Sequence, residues 1–486
     1  MSMRIPERRM RGAQQVISLM RRSSLRYASI IALLMLLSAC SFPMMEPVPV
    51  VDPGATLHLF LEPVPQEARS LSLSITSLNA RTSGGDDIPL FDEPFVLAAA
   101  QRIGRQTKLV TRKLPPGDYK GLSIAIAKAT QTNEEGNAAL LVNTDFQLIP
   151  QTFTIKRDRA NTLFLSMNSD RLVTDGYRLT VKFSVWTSQS PLTGLKGVIS
   201  HPANGTLSFF EKKTPRIFSV LALGQRPRGL AFDQVKRRAY IALTDEDSVL
   251  IVDLIHERIE RKVRLRSVDR PHGLTLSDGG RTLLVTNSGS NAISLIDTEN
   301  FRERQRILFS TRPASVLTSS QTSRAYVTLP ETNTLVLVDT DRGSVDASVS
   351  LPETPTKGIV SVDGKALYLL TETSPDILLV DAQTLQLKSR IFIGYGANCL
   401  AQTRGSLFYV GLESGKISVI DPRMELPIDH FWAGGPVTDL VPDLMENSLF
   451  VLTDQKLEKF DLISKKKQAV LDLGSAGFEL SIMGEP

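Results

Sequence analysis

Cysteine is almost absent from this sequence, since Cys40 and Cys399 are the only two cysteines in 486 residues. Two cysteines cannot supply the several disulfides that stabilise small secreted domains, which excludes that class of fold. Cys399 lies in a run of small and apolar residues, 396–401. In such surroundings a cysteine behaves as a small apolar side chain, so we expect a buried thiol rather than a nucleophile.

Histidine is also scarce, and the recognisable catalytic motifs are missing. None of the five histidines shows His-x-x-x-His or Cys/His spacing, so the sequence predicts no metal site. It contains no Gly-x-Ser-x-Gly elbow, no phosphate-binding loop and no haem-attachment motif. The five histidines are His58, His201, His256, His272 and His430. We therefore predict no catalytic residue, no cofactor and no enzyme activity.

The apolar run near the N-terminus is too short to span a membrane. Residues 27–39 form an uncharged stretch of 13 residues, whereas a membrane-spanning helix needs ~20. Arg21, Arg22 and Arg26 precede it. A short apolar core behind basic residues is typical of a secretory signal peptide, so we expect the protein to be exported.

The apolar run ends on a motif with a specific meaning. Leu37-Ser38-Ala39-Cys40 resembles the bacterial lipobox, in which a small residue precedes a cysteine that becomes lipidated and N-terminal. The resemblance implies a lipoprotein signal peptide over residues 1–39, recognised by signal peptidase through Leu37, Ser38 and Ala39. It also implies lipid attachment at Cys40 and hence a membrane partner. An ordinary secretory peptide with an incidental cysteine is the alternative.

The residues beyond Cys40 indicate where and how the protein is held. Ser41, rather than Asp, follows the cysteine, which by the enterobacterial sorting rule implies the outer membrane if the host has one. Residues 40–54 contain four prolines and predict a semi-rigid tether. Whether Met1 or Met20 is the true start, and whether the protein faces the periplasm or the cell surface, is left open.

Net charge excludes one class of partner. The whole chain carries +5, but residues 1–39 contain seven Arg and one Glu, so the remainder carries 5 − 6 = −1. A near-neutral mature protein lacks the basic surface that nucleic-acid binding requires. We therefore expect no nucleic-acid partner.

Residues 55–190 show alternating apolar and polar side chains, which predicts antiparallel sheets packed face to face as a β-sandwich. The phrase Leu-Pro-Pro-Gly-Asp-Tyr at 114–119 predicts a tight turn that feeds a strand. It resembles the turn of immunoglobulin- and transthyretin-like domains in bacterial surface lipoproteins. The predicted strands are 56–61, 71–75, 121–126 and 178–185.

Residues 195–486 repeat with a period of 40–44, and each unit predicts a small sheet. The third strand of each unit ends in Asp, whose carboxylate can accept backbone N–H groups in the following turn. We interpret these residues as structural. They are Asp253, Asp297, Asp339, Asp381, Asp421 and Asp461, at spacings of 44, 42, 42, 40 and 40.

Such sheets are too small to stand alone and stack radially, which predicts a β-propeller. Six units are complete, and residues 195–222 supply three strands of a seventh. Its first strand can come from residues 477–482 at the other end of the repeats, which predicts seven blades and a closed ring. Residues 326–328 and 285–287 read Tyr-Val-Thr and Val-Thr-Asn, and the units resemble the YVTN-type propeller repeat of bacterial and archaeal surface proteins.

Four polar residues break the symmetry of the repeats where the first strands line the central channel. Arg228, His272, Lys357 and Asn398 occupy positions at which other units carry apolar or small residues. They either form a site for a carboxylate or a sugar, or solvate an open end of the channel.

Two classes of function remain. The first is a membrane-anchored binding or scaffold module whose partner is an envelope protein or glycan. The second is a hydrolase or lyase resembling propeller lactonases, in which carboxylates and histidines at the channel mouth hold a metal. Asp439 and Glu479 are the carboxylates nearest to the aligned channel positions. The fold by itself selects neither class.

Overall fold

The computed structural model describes residues 55–134, 136–157, 160–168, 172–187, 190–318, 323–403 and 407–484. Across these ranges the protein is all-β, as the sequence predicts. The predicted signal peptide (1–39), the lipid-attachment site Cys40 and the tether (40–54) lie outside them. Short 3-10 helices connect some strands, at Gln66–Ala68, Ala99–Gln101, Thr193–Leu195, Thr244–Glu246, Asp278–Gly280 and Pro330–Thr332. In the described part of the chain, no helix is both long and apolar enough to cross a membrane.

The N-terminal strands form two main sheets and one small ribbon. In spatial order the first sheet contains β12 (Phe183–Trp186), β9 (Ala160–Met167), β1 (Thr56–Leu61) and β5 (Thr107–Lys113). The second contains β3 (Asp87–Pro89), β2 (Leu71–Thr82), β6 (Gly117–Asn133) and β7 (Gly136–Leu140), with β4 (Phe95–Ala98) beside β2 and β8 (Gln147–Ile155) beside β6. The ribbon pairs β10 (Val173–Thr174) with β11 (Arg178–Leu179).

The first sheet is covered on both faces. Leu57, Leu59 and Leu61 of β1 join the core between the two sheets. Phe60 and Phe164 point the other way and join an apolar cluster of the propeller. Strand β1 is therefore buried along its whole length. The alternation of side chains along a strand makes this double contact possible.

Two details of the sandwich differ from the prediction. Strand β1 pairs with β9 in parallel, because the chain enters β9 by a crossover from β8 in the other sheet. The predicted strand 178–185 is two strands, since β11 pairs with β10 while β12 pairs with β9. The predicted turn at 114–119 is confirmed: Tyr119 Oη donates to the Pro115 carbonyl at 2.8 Å and β6 begins at Gly117.

The repeats form seven four-stranded antiparallel sheets, which confirms the predicted propeller. Six blades are continuous in sequence, and in each the first strand lies innermost. They are blade 2, β16 (Pro227–Asp233), β17 (Arg238–Leu243), β18 (Ser248–Asp253) and β19 (Arg258–Arg264); blade 3, β20 (Pro271–Ser277), β21 (Thr282–Asn287), β22 (Ala292–Asp297) and β23 (Glu303–Leu308); blade 4, β24 (Ser315–Thr318), β25 (Arg324–Leu329), β26 (Thr334–Asp339) and β27 (Ser344–Ser350); blade 5, β28 (Pro355–Val360), β29 (Ala366–Thr371), β30 (Asp376–Asp381) and β31 (Leu387–Phe392); blade 6, β32 (Ala397–Gln402), β33 (Phe408–Leu412), β34 (Lys416–Asp421) and β35 (Leu426–Trp432); and blade 7, β36 (Val437–Asp443), β37 (Ser448–Thr453), β38 (Lys456–Asp461) and β39 (Lys467–Asp472).

Blade 1 joins the two ends of the repeat region. It contains β13 (Lys196–His201), β14 (Thr206–Glu211), β15 (Arg216–Ala222) and, innermost, β40 (Leu480–Ile482). Strand β40 pairs antiparallel with β13, and the Phe478 N–H extends the ladder to the Ser200 carbonyl at 2.9 Å. The predicted closure of the ring is confirmed, and it leaves no free inner edge on β13.

The aspartates at the ends of the third strands are structural, as expected. Asp297 Oδ1 accepts the backbone N–H groups of Glu299 at 2.8 Å and Asn300 at 3.0 Å. These bonds lower the pKa of Asp297, because they favour the charged carboxylate. The same geometry recurs at Asp253, Asp339, Asp381 and Asp461, and Asp421 accepts the Arg423 N–H in the same way.

Candidate binding site at the propeller channel

The innermost strands carry an irregularity where the site residues were predicted. In β16 the pairing register shifts between Arg228 and Leu230, and β20, β28, β32 and β36 shift at the equivalent point. Such a bulge leaves a residue outside the ladder and re-aims its side chain. At Gly229 a Cβ would lie 1.9 Å from the His272 carbonyl oxygen, so only glycine permits this approach of neighbouring blades.

Three of the four predicted residues surround one aromatic ring, that of Phe478. Arg228 lies with Cζ 5.0 Å from the ring centroid, and Lys357 lies with Nζ at 6.0 Å. The His272 ring meets it edge-on, with centroids 6.2 Å apart. Cations over an aromatic face are attracted to its negative charge density. The segment that closes the ring thus also supplies the centre of the candidate site.

His272 is held neutral at this point. Arg228 Nη1 lies 3.2 Å from His272 Nε2, and because a guanidinium has only donors, the imidazole nitrogen accepts. Burial first, and then the charges of Arg228 and Lys357, lower the pKa of His272 to about 4. A neutral imidazole beside a guanidinium extends the polar surface without adding charge.

Asn398, the fourth predicted residue, has a different role. Its side-chain nitrogen donates to the Val437 carbonyl at 3.2 Å, which joins the inner strands of blades 6 and 7. The amide is thus used in holding two blades together. Of the four, Arg228, His272 and Lys357 come together around Phe478, whereas Asn398 is bound to backbone.

Below these residues lies a channel cavity of about 430 Å³, lined in part by Lys357, Cys399, Asp439 and Glu479. Asp439 Oδ2 accepts the Leu480 N–H at 2.8 Å. Within the described ranges, no group of three or more His, Cys, Asp or Glu side chains is arranged to hold a metal ion. The cavity therefore offers two carboxylates and one ammonium group.

Burial dominates the electrostatics of this cavity. It raises the pKa of Asp439, and Lys357 offsets part of that rise. Burial and then the charge of Asp439 raise the pKa of Glu479 to about 7. Burial also raises the pKa of the Cys399 thiol, which is free and buried as the sequence predicts. At neutral pH the pair of acids holds a proton part of the time, and Cys399 remains a thiol.

A second cavity, of about 530 Å³, forms the mouth of the channel and shares His272 with the first. Four arginines from three consecutive blades line one side of it, and we call them the arginine arc: Arg226, Arg228, Arg270 and Arg312. Ser288, Thr356 and Glu372 also line this cavity. The mouth is therefore rich in positive charge, while the channel below it carries the carboxylates.

The arc is only partly neutralised by carboxylates. Arg226 and Arg270 both face Asp245 Oδ1, at 3.5 and 4.0 Å. Arg312 Nε pairs with Glu331 Oε1 at 2.9 Å. Such exposed pairs are weak and leave the guanidinium groups available to a ligand.

Sequence reasoning missed the arginine arc, although a signal is present. Residues 226–227, 270–271 and 312–313 all read Arg-Pro, at spacings of 44 and 42, immediately before or at the start of three inner strands. The repeat places equivalent residues on one rim of the ring. The role of Phe478 had no such signal, because it depends on the pairing of distant ends of the chain.

Comparisons with known proteins define the fold and nothing finer. No protein-family model matches this chain, and no curated protein does. Among solved structures it is similar to the dihydro-heme d1 dehydrogenase NirN in complex with DHE, with a TM-score of 0.50 and 14% identity over 61% of this chain and 77% of that one. It is also similar to the hydrazine synthase of Kuenenia stuttgartiensis, with a TM-score of 0.48 and 16% identity over 58% and 93% of the two chains. At this identity the likeness to NirN shows the fold alone, a β-propeller.

Proposed function

We propose that this chain is an exported lipoprotein, anchored through Cys40, whose propeller binds an envelope protein or glycan. The lipobox resemblance over Leu37, Ser38, Ala39 and Cys40 supports the anchor, and Ser41 supports the outer membrane in a host that has one. The repeats are assigned to the YVTN type and the N-terminal sandwich to the immunoglobulin- and transthyretin-like type. The sandwich then acts as a spacer that is packed firmly on the propeller.

The observation that carries the binding function is the arrangement at the channel mouth. Arg228, His272 and Lys357 come from three different blades and meet at one ring. Arg228 lines the mouth, Lys357 lines the channel below it, and His272 lines both cavities. The Nε2 atom of His272 accepts a hydrogen bond from Arg228. This nitrogen is therefore occupied and does not take a proton from a nucleophile. Convergent polar groups on a preformed cavity are typical of a binding site.

The test compares two variants with the wild-type protein. Cys40→Ser should shift the protein from the detergent-soluble membrane fraction to a soluble or uncleaved form, because acyl chains contribute ~0.8 kcal/mol per buried methylene. The triple variant Arg228→Gln/His272→Gln/Lys357→Gln, immobilised on beads, should fail to retain the envelope component that the wild-type propeller retains. Membrane attachment of Cys40→Ser with an unchanged lipid label would contradict the anchor. Equal retention by both propellers would contradict the site.

A hydrolase or lyase remains the second candidate, because one observation favours it. Glu479, with a pKa of about 7, lies beside Asp439 in the channel cavity, and a carboxyl group poised near neutrality suits acid–base chemistry. Metal analysis and assays on lactones and glycans separate the two functions. A stoichiometric divalent ion that is lost in Asp439→Asn or Glu479→Gln would favour the enzyme. Our proposal expects neither a bound ion nor turnover.

A further inference from the structure

The central residue of the arginine arc, Arg228, forms no ion pair in the described part of the chain, and the carboxylates of Asp245 and Glu479 act on it only from a longer distance. Among the described residues, no carboxylate lies within 4 Å of Arg228, whereas the other three members of the arc each face one. Its Nε is buried and has no hydrogen-bond partner. Burial and then repulsion from Arg226 lower the pKa of Arg228. An anion placed here would supply the missing charge and a partner for the guanidinium fork.

The backbone holds the arc in an uncommon conformation. Arg226 and Arg270 have φ values of 55° and 48°, in the left-handed region that residues other than glycine rarely adopt. Asp247 fixes one of these turns, since its Oδ1 accepts the Arg270 N–H at 2.7 Å. Positive φ at residues other than glycine recurs at turns throughout the described chain, so here it defines the course of the backbone and does not by itself mark a ligand site. The turns therefore present the arginines at the rim in a defined position.

Hydroxyl groups beside the arc are oriented as acceptors. Ser288 Oγ donates to the Arg270 carbonyl at 2.9 Å, and Thr356 Oγ1 donates to the Leu370 carbonyl at 3.2 Å. Because each hydroxyl proton is used within the protein, the oxygen that lines the mouth can accept a hydrogen bond from a ligand. The carboxylate of Glu372 adds a further acceptor. The mouth thus combines donors for an anion with acceptors for hydroxyl groups.

The cavity below restricts where an anion can settle. Asp439 and Glu479 line the channel beneath the mouth. The negative charge that this partly protonated pair retains opposes the entry of an anion, although Lys357 offsets part of it. A negatively charged group is therefore held at the rim and kept out of the channel.

We propose that the arginine arc binds the carboxylate of an acidic sugar, with Ser288, Thr356 and Glu372 accepting hydrogen bonds from its hydroxyl groups. This inference rests on the proposed binding function and names its ligand class, a glycan that contains uronic acid. A uronic acid carries both a carboxylate and hydroxyl donors on one ring. Inorganic phosphate or a glutamate side chain matches the arginines alone. The mouth, at about 530 Å³, is in the size range of small-ligand cavities.

The experiment uses the purified full-length protein in detergent and measures binding of tri-galacturonic acid by calorimetry. The methyl ester of the same trisaccharide has the same hydroxyl groups and no charge. Arg270→Gln/Arg312→Gln removes two arc members whose side chains are 55% and 64% exposed, so folding should be unaffected. Arg342→Gln is the control for loss of a surface arginine, because its side chain is 77% exposed and lies in a turn at the opposite end of the blades.

We expect the acid to bind, the ester not to bind, and the double variant to bind at least about tenfold more weakly. Arg228→Lys should weaken binding although it keeps the charge, because lysine lacks the planar fork. Equal binding of acid and ester would overturn the proposal, and so would an equal loss in Arg342→Gln. Tighter binding of hexaglutamate would identify an acidic protein segment as the ligand instead. Displacement by equimolar inorganic phosphate would show an anion site without sugar selectivity.

These outcomes are independent of the test of the proposed function. If tri-galacturonic acid fails to bind while the wild-type propeller still retains its envelope component, the ligand class is wrong and the binding function stands. If the acid binds but Cys40→Ser remains lipid-labelled, the anchor is wrong and the arc stands.

Discussion

The described residues include two regions, the junction of sandwich and propeller and the channel mouth, in which histidine lies beside other basic groups, and the surroundings of the two differ. Where the sandwich meets the propeller, His58 of β1 and His201 of β13 lie near Lys108 of β5. Both imidazoles are sealed, at 1% and 2% exposure, and the Nε2 atom of each has no hydrogen-bond partner. At the channel mouth, by contrast, His272 faces cavities that remain open to a ligand.

The pKa values show what the difference means. At the junction, burial and then the charge of Lys108 lower the pKa of His58 to about 3 and that of His201 to about 4. A proton added there would meet no counter-ion and no space for one. In the channel, the lowered pKa of His272 is accompanied by the raised pKa of Glu479. A sealed basic cluster can only resist protonation, whereas an open one can accept an anion.

The C-terminal segment contacts both regions, so its removal should have the largest effect. The carbonyl oxygen of Ala476, which directly precedes the deleted residues, accepts from His201 Nδ1 at 3.2 Å; Phe478 contacts Arg228 at the mouth, and β40 closes the ring. Deleting residues 477–486 should lower the melting temperature strongly or cause aggregation through the exposed edge of β13. Each buried apolar side chain lost contributes ~1.5–3 kcal/mol, against a typical stability of ~5–15 kcal/mol.

A matched pair of point variants checks the same closure without truncation. Leu480 is buried and Ser481 is only half-buried, on the alternate face of β40. Leu480→Asn should destabilise by ~2–4 kcal/mol, whereas Ser481→Asn should cost far less. An unchanged melting temperature after deletion would leave six closed blades and assign β13–β15 to the sandwich.

Acid should distinguish the two regions next. The folded-state pKa values of His58 and His201 lie below the ordinary 6.5, so the unfolded chain binds more protons and stability falls as pH drops below 6.5. Between pH 7 and pH 5, each of these two histidines should lower the free energy of unfolding by ~2 kcal/mol. His272 acts in the same direction, but Glu479, whose pKa is raised, stabilises the fold as pH falls through 7. The junction contributions add, whereas in the channel Glu479 offsets His272, and Asp439, whose pKa is also raised, acts in the same direction as Glu479.

Denaturant titrations at several pH values give the free energy of unfolding as a function of pH, and its slope measures how much the junction and the channel each contribute. The variant His58→Gln/His201→Gln should lose most of the stability change between pH 7 and pH 5. His272→Gln/Glu479→Gln should keep it. Lys108, with its pKa lowered to about 8, stays protonated in both states over this range and adds no slope. If the channel variant flattened the profile instead, the junction would not be the acid-sensitive region.

Features that depend on contacts between residues near each other in sequence could be predicted, and features that depend on distant contacts mostly could not. The blades were predictable because each repeat is a local unit, and the aspartates that end the third strands mark its period. Closure by β40 was predictable from the one strand missing in the count. The prediction of one continuous strand at 178–185 was wrong. An alternating pattern does not show that the chain pairs with β10 up to Leu179 and with β9 from Phe183 onward.

The junction cluster could not be predicted at all. His58, Lys108 and His201 are far apart in sequence; each histidine looks like an isolated polar residue in its strand, and Lys108 looks like one of several basic residues of β5. Only the packing of the sandwich on blade 1 brings them together. At the channel, Arg228, His272 and Lys357 were found because they break a repeat, while Asp439 and Glu479 were recognised only as nearby carboxylates. Deviations from a repeat are visible in sequence, and contacts between domains are not.

The smallest expected effect is a shift in the pKa values of His58 and His201 when the charge of Lys108 is removed. This shift tests the sealed cluster directly. Lys108 is partly buried, packs against Gly474, and its charge is the second cause of the low pKa at both histidines. Lys108→Met keeps the stem and removes the charge, so the pKa of His58 and His201 should rise while burial keeps both below 6.5. Lys113→Met removes an exposed charge from the same strand and should leave both values unchanged. Imidazole NMR titration reads each site separately. Histidine pKa values that did not move in Lys108→Met would show that burial alone suppresses the charge at the junction, in contrast to the mouth, where the charges of Arg228 and Lys357 also lower the pKa of His272.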